Sequence, residues 1–207
     1  MTEPFNSQAS EQRLTLDQVR RVVAATRRAA EAVPSRSLGA KRDLVVIAIG
    51  LMFGVPAAKV VGLRWGDVEL DGPSPSMCSL LPGDTAGARV HLSPAVVSVV
   101  KDFRAALRAE GVDPVAEDAF IPSLDPAVRA AWPDLERDVL SPAGSVVLGT
   151  AIHRRFADAG VVPRRSPKAG SAGSPTLAWL GRAKLEDVES VLTVAVQRRV
   201  VRAKPSL

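Results

Sequence analysis

Arginine dominates the side chains of this 207-residue chain that are equipped for chemistry. Arg154 and Arg155 are followed closely by Arg164, Arg165 and Lys168. The guanidinium fork meets a phosphate in two parallel hydrogen bonds, so such a group suits an anionic backbone. Its plain alternative is a solvated basic loop. Arg198 and Arg199, with Arg202 and Lys204, form a second group, where cations also complement the C-terminal end of a helix dipole. The rest of the inventory is sparse. Two histidines and one cysteine do not make a four-ligand zinc site without carboxylates, and neither metal nor cofactor is expected. His91 alternates with Val90 and Leu92 and is predicted to face solvent; His153, beside two arginines, is predicted to be solvated. No acid is placed to complete a Ser-His-Asp set, and no Gly-rich phosphate loop is present. The chain contains no tyrosine.

The charges are unevenly spread. Residues 1–64 carry ten Lys/Arg against five Asp/Glu, residues 65–150 six against thirteen, and residues 151–207 eleven against four. The net +5 therefore divides into +5, −7 and +7, two basic ends around an acidic middle. That asymmetry points to an anionic partner, double-stranded DNA first among them. An apolar fraction of 46% with 24% charged residues is a globular balance, and the length suffices for one domain with a real core. A single cysteine, Cys78, excludes an internal disulfide and points to a reducing, cytoplasmic setting, nucleoid-associated if DNA is bound. The uncharged run Leu44 to Ala58 is 15 residues, short of the roughly 20 that span a bilayer. The opening MTEPFNSQASEQR has no apolar signal core, so neither a membrane nor export is expected.

The elements that must position these groups follow from periodicity and punctuation. Residues 1–12 are polar and expected to be disordered, which leaves 13–207 as a single domain. Thr15 opens a helix with Gln18 completing a capping box, and Pro34 is predicted to end it. A second helix, about Lys41 to Phe53, is apolar all round and should be buried and central. A short helix to about Leu63 comes next. Val68–Leu70, Met77–Leu81 and Arg89–Leu92 are predicted strands, separated by Asp71-Gly72-Pro73 and by Gly83 to Gly87. Ser93-Pro94 starts a helix that stops at Gly111. Phe120-Ile121 is a predicted buried strand fragment, and Pro122 to Leu140 an acidic helical stretch interrupted by proline. Helices over Ser145–Ala159, from Ser174-Pro175 to about Leu180, and over Leu185–Lys204 complete the chain; the last is expected to break near Thr193. Val161 to Pro175 is the most loop-like segment. The fold class is α+β, mainly α: a small three-stranded antiparallel β-meander packed on a helical core.

Lys41 to Glu69, KRDLVVIAIGLMFGVPAAKVVGLRWGDVE, resembles the catalytic domain of tyrosine recombinases, the phage integrase family. Gly54, Leu63, Trp65 and Asp67 stand at the spacing of that family's T-G-x-R-x-x-E-x-x-x-L-x-W-x-D motif. GDTAGARVHLSP is similar to the family's β-hairpin and helix start, AFIPS to the segment beyond that helix, and IHRRFADAGV to the helix before the active-site box. LAWLGRAKLEDVESVLTVA resembles its closing helix pair, so the similarity covers roughly residues 13–203. The resemblance implies an integrase-like catalytic-domain fold, here without the N-terminal core-binding domain that usually completes the clamp on DNA.

In that family a tyrosine attacks a DNA phosphodiester, two arginines and a histidine or tryptophan hold the phosphate, and a hairpin lysine protonates the leaving oxygen. At those positions this chain has Pro56 for the first arginine, Asp84 for the lysine, Ser174 for the second arginine and Val194 within the Leu-Gly-His triplet; Lys59 replaces the glutamate. The nucleophile has no counterpart. Losing one phosphate-binding donor costs about 10²–10³ in rate, and losing the nucleophile removes the covalent route. The expectation is a pseudoenzyme with no catalytic residues that retains DNA binding as a regulatory or accessory factor in DNA recombination, integration or transcription. Arg64, Arg154, Arg155, Arg164, Arg165, Lys168, Arg198 and Arg199 are its candidate DNA contacts. The alternative is a protein-interaction module that does not bind DNA. It would use its C-terminal helix for self-association or for a recombinase partner, as family members exchange that helix between neighbours.

Overall fold

Thr15 and Gln18 close the capping box: Thr15 N–H donates to Gln18 Oε1 at 2.8 Å, and Gln18 N–H to Thr15 Oγ1 at 3.3 Å. They sit at the start of α1 (Leu16–Ala32) in a computed structural model that describes residues 14–32, 34–55, 57–81, 83–85, 87–130, 132, 140–161 and 185–200. Helix α1 buries Val19, Val22, Val23 and Thr26 at helical spacing and turns Arg20, Arg21 and Arg28 to solvent. Its buried face packs on α2 (Pro34–Phe53). Every residue of α2 from Arg42 to Phe53 is buried, as an all-apolar helix requires. The start of α2 differs from expectation. Pro34 does not end α1; it is the first residue of α2. A proline there loses nothing, because the first N–H groups of a helix have no partner in any case.

A short helix α3 (Ala57–Val61) leads to a 3-10 turn at Trp65–Asp67. Asp67 Oδ2 accepts from Arg64 N–H at 2.8 Å and fixes that turn. Trp65 is buried as predicted, stacked 6.3 Å from Phe103 and edge-on at 4.9 Å to Phe120. The meander follows in the order β1 (Val68–Glu69), β2 (Ser76–Cys78), β3 (Arg89–His91), antiparallel throughout. Met77, paired with Val68 on one side and Val90 on the other, is its inward residue. Strand β2 is shorter than predicted and ends before Leu80 and Leu81.

Helix α4 (Pro94–Ala109) begins where Ser93 Oγ accepts from Val96 N–H at 3.4 Å, and the chain leaves it through Gly111 at a φ of 87° that favours glycine. Its buried row, Val96, Val99, Val100, Phe103, Ala106 and Leu107, belongs to the core that α2 crosses. Beyond it the chain is held by Asp118, whose carboxylate accepts from Val115 N–H and Leu140 N–H, both at 2.7 Å. Phe120 and Ile121 are fully buried, but their segment makes only isolated bridges, Arg64 to Ala119 and Pro122 to Pro142. Of the predicted helical stretch Pro122–Leu140, the described residues show the short α5 (Pro126–Ala130) and a 3-10 residue at Trp132.

Helix α6 (Ser145–Asp158) ends ahead of Gly160, at a φ of 68°. Helix α7 (Leu185–Val200) runs through Thr193 without the expected break. Val188, Val191 and Leu192 of α7 are buried in the same core, where the helix packs on α1, α2 and α4. Arg27 Nη2 adds a hydrogen bond to the Leu192 carbonyl at 2.9 Å. The architecture is mainly helical with one small antiparallel sheet. Among the described residues no helix is long and apolar enough to cross a membrane.

Candidate nucleic-acid interface

A cation held by a carboxylate has little left for a phosphate, so the partners of each basic side chain decide what it can do. Asp43, on the buried helix α2, is the clearest case. Its Oδ1 accepts from Arg42 Nη2 at 3.1 Å and its Oδ2 from Arg155 Nε at 2.8 Å. The Arg42 and Asp43 side chains are buried, and Arg155 is 17% exposed. Arg155 therefore clamps α6 to α2, while its neighbour Arg154 is exposed. The middle of the chain repeats the pattern. Arg89 meets Glu69, Lys101 and Arg104 meet Asp71, Arg108 meets Asp113, and Arg129 meets Glu110. The Asp113 carboxyl lies below its usual range chiefly because Arg108 donates to it.

The remaining cations differ. Among the described residues, Arg20, Arg21, Arg28, Lys41, Lys59 and Arg154 have no ion pair and no side-chain hydrogen bond. Arg64 is exposed and spends one donor, Nη1, on the Glu117 carbonyl at 3.0 Å, which leaves its charge unneutralised. Lys59 lies on α3, and Arg154 lies on α6, which packs against α3. Lys59 and Arg154 thus stand on adjoining helices, and Arg64 lies three residues beyond the end of α3. Lys59 was not among the contacts expected from sequence, although a lysine shortly before Arg64 was the available signal.

Arg164, Arg165 and Lys168 lie outside the described residues, as do Pro56, Ser174 and the terminus 1–12. Arg198, Arg199 and Val194 fall on the backbone of α7. Asp84 is exposed in the β2–β3 hairpin, where its carboxylate accepts from Ser79 Oγ.

His153 corrects the sequence reading. It is not solvated: it is buried on the inner face of α6 beside Leu148, Ile152 and Phe156, and neither ring nitrogen has a partner among the described residues. His91 is exposed as predicted, 3.4 Å from Ser74 Oγ. Cys78 Sγ donates to Asp67 Oδ1 at 3.6 Å. Burial first, then the Asp67 carboxylate, pushes the thiol pKa up, with Arg89 opposing. Such a thiol stays protonated and is a poor nucleophile. Among the described residues no cluster of His, Cys, Asp or Glu is arranged to hold a metal. A cleft of about 510 Å³ between the meander and α4 is walled by Pro73, Pro75, Leu92, Pro94 and Val97, and its Lys101 is already tied to Asp71 at 3.2 Å. His91, Ser98 and Asp102 add polar side chains to the same lining. No protein-family model matches this chain, and no curated protein sequence matches it.

Proposed function

We propose that this chain is a catalytically inactive, integrase-like domain that binds double-stranded DNA as a regulatory or accessory factor, cytoplasmic and nucleoid-associated. The observation that carries the reading is the order of elements around Trp65. A helix buried on every side is followed by a short helix, the Leu63-x-Trp65-x-Asp67 turn, a three-stranded antiparallel meander and the Ser93-capped α4. That order is the one the recombinase resemblance implies.

Duplex binding is supported by the separation of charge: among the described residues the cations of the acidic middle, from Arg89 to Arg129, have carboxylate partners, while Lys59, Arg64 and Arg154 have none. Inactivity is supported by the absence of tyrosine from the sequence and by Asp84, a carboxylate that repels phosphate at the hairpin position of the general acid. The protonated Cys78 offers no substitute nucleophile. Against the interaction-module alternative, Val188, Val191 and Leu192 of α7 are buried in this chain's own core.

The test is incubation with a nicked suicide duplex, analysed on a native gel and after detergent denaturation. The reading expects a shifted complex and no covalent adduct. An adduct that survives detergent and maps to this chain overturns the inactivity.

A further inference from the structure

The solvent face of α1 carries three exposed arginines, Arg20, Arg21 and Arg28. They have neither ion pair nor hydrogen bond among the described residues. Five of the basic side chains between Arg89 and Arg129 have carboxylate partners by contrast. We propose that this face of α1 is a phosphate-contact surface for duplex DNA, additional to the one on α3 and α6; the inference rests on the duplex-binding reading above.

The spacing supports a backbone contact. Arg21 and Arg28 are seven residues apart, which places them on one line of the helix about 10.5 Å apart along its axis. That is the axial run of about three base steps, at roughly 3.4 Å per nucleotide of one strand. Arg20 stands about 100° round the helix from Arg21 and widens the strip. Between the arginines lie Ala24 and Ala25, whose small side chains let the helix backbone approach a phosphate ridge. Arginine is also the side chain that forks around a phosphate.

The same face does not suit a lipid surface. An interfacial helix binds by burying its apolar side among acyl chains. In α1 that side, Val19, Val22 and Val23, is already buried under α2 and α7. Electrostatic attraction to anionic headgroups alone, at about 1 kcal/mol per cation, would remain.

The test compares the full chain with the combined variant Arg20→Ala, Arg21→Ala, Arg28→Ala, using a labelled random-sequence duplex and salt between about 50 and 200 mM. Each lost phosphate contact flattens the slope of log K against log salt by about 0.9, so the variant slope is expected to fall by up to about 2.7. The melting temperature should hold, and the corresponding Lys variant should keep the slope, which separates charge from folding. A wild type that binds with a slope the Ala variant shares overturns the α1 surface and leaves the duplex-binding reading standing. A wild type that binds no duplex overturns both. Capture by phosphatidylserine vesicles in place of duplex, lost in the Ala variant, overturns the choice of DNA.

Discussion

Asp43 divides its two oxygens between Arg42 of its own helix and Arg155 of α6, and it does so in the buried middle of the fold. Replacing it leaves a buried guanidinium without a counter-charge, a change that costs about 3–5 kcal/mol where it has been dissected. Arg155 keeps some access to water, so Asp43→Ala is expected at the lower end, about 3 kcal/mol, in urea unfolding. A loss under about 1 kcal/mol would contradict the clamp. Cys78 supports a second prediction at this scale. Only the thiolate reacts, and a raised pKa leaves less thiolate at any pH below it. Alkylation at about pH 8 should therefore be slower than for an ordinary exposed cysteine, with the rate profile displaced to higher pH. Asp67→Asn removes a cause of the shift and should move the profile back down. Coincident profiles for the two proteins would refute that account. Neither arrangement was legible in the sequence, because Asp43 and Arg155 stand 112 positions apart and Cys78 meets Asp67 only across the meander. His153 was misread for the same reason. Its neighbours Arg154 and Arg155 suggest solvent, but its direction on α6 is set by what the helix packs on.

Elements whose boundaries are written locally were legible. Thr15 with Gln18, Ser93 before Pro94, and Gly111 and Gly160 after their helices all act through residues within a turn of themselves. Pro34 failed because proline serves both to stop one helix and to start another, and only the packing of α1 on α2 decides between them. The strands were found in number and order but overextended, since Leu80 and Leu81 are half-buried without ladder partners. Helix α2 gives the sharpest test at this scale. Ile47 and Leu51 are fully enclosed, so Ile47→Asp or Leu51→Asp buries an unpaired charge and should abolish cooperative unfolding. A soluble Ile47→Asp protein with a sharp thermal transition would show that α2 is not the central element. Of the candidate contacts, Arg64 and Arg154 are exposed as a binding role requires, whereas Arg155 is drawn inward by an acid that no local pattern reveals.

Across the whole molecule, the balance of +5, −7 and +7 along the chain becomes a division between cations that are neutralised at home and cations that are not. Unneutralised surface cations add little to stability, and under the proposed reading they serve to attract the phosphates of a duplex. Binding of this kind releases counterions, and its dependence on salt counts the phosphates engaged. The salt dependence of wild-type binding to a random duplex is therefore the most direct measurement of the central claim. With Lys59, Arg64, Arg154 and the α1 arginines available, the slope of log K against log salt should be steeper than about −2 and binding should be readily detected near 50 mM salt. No binding at that salt, or a slope near zero, would contradict it.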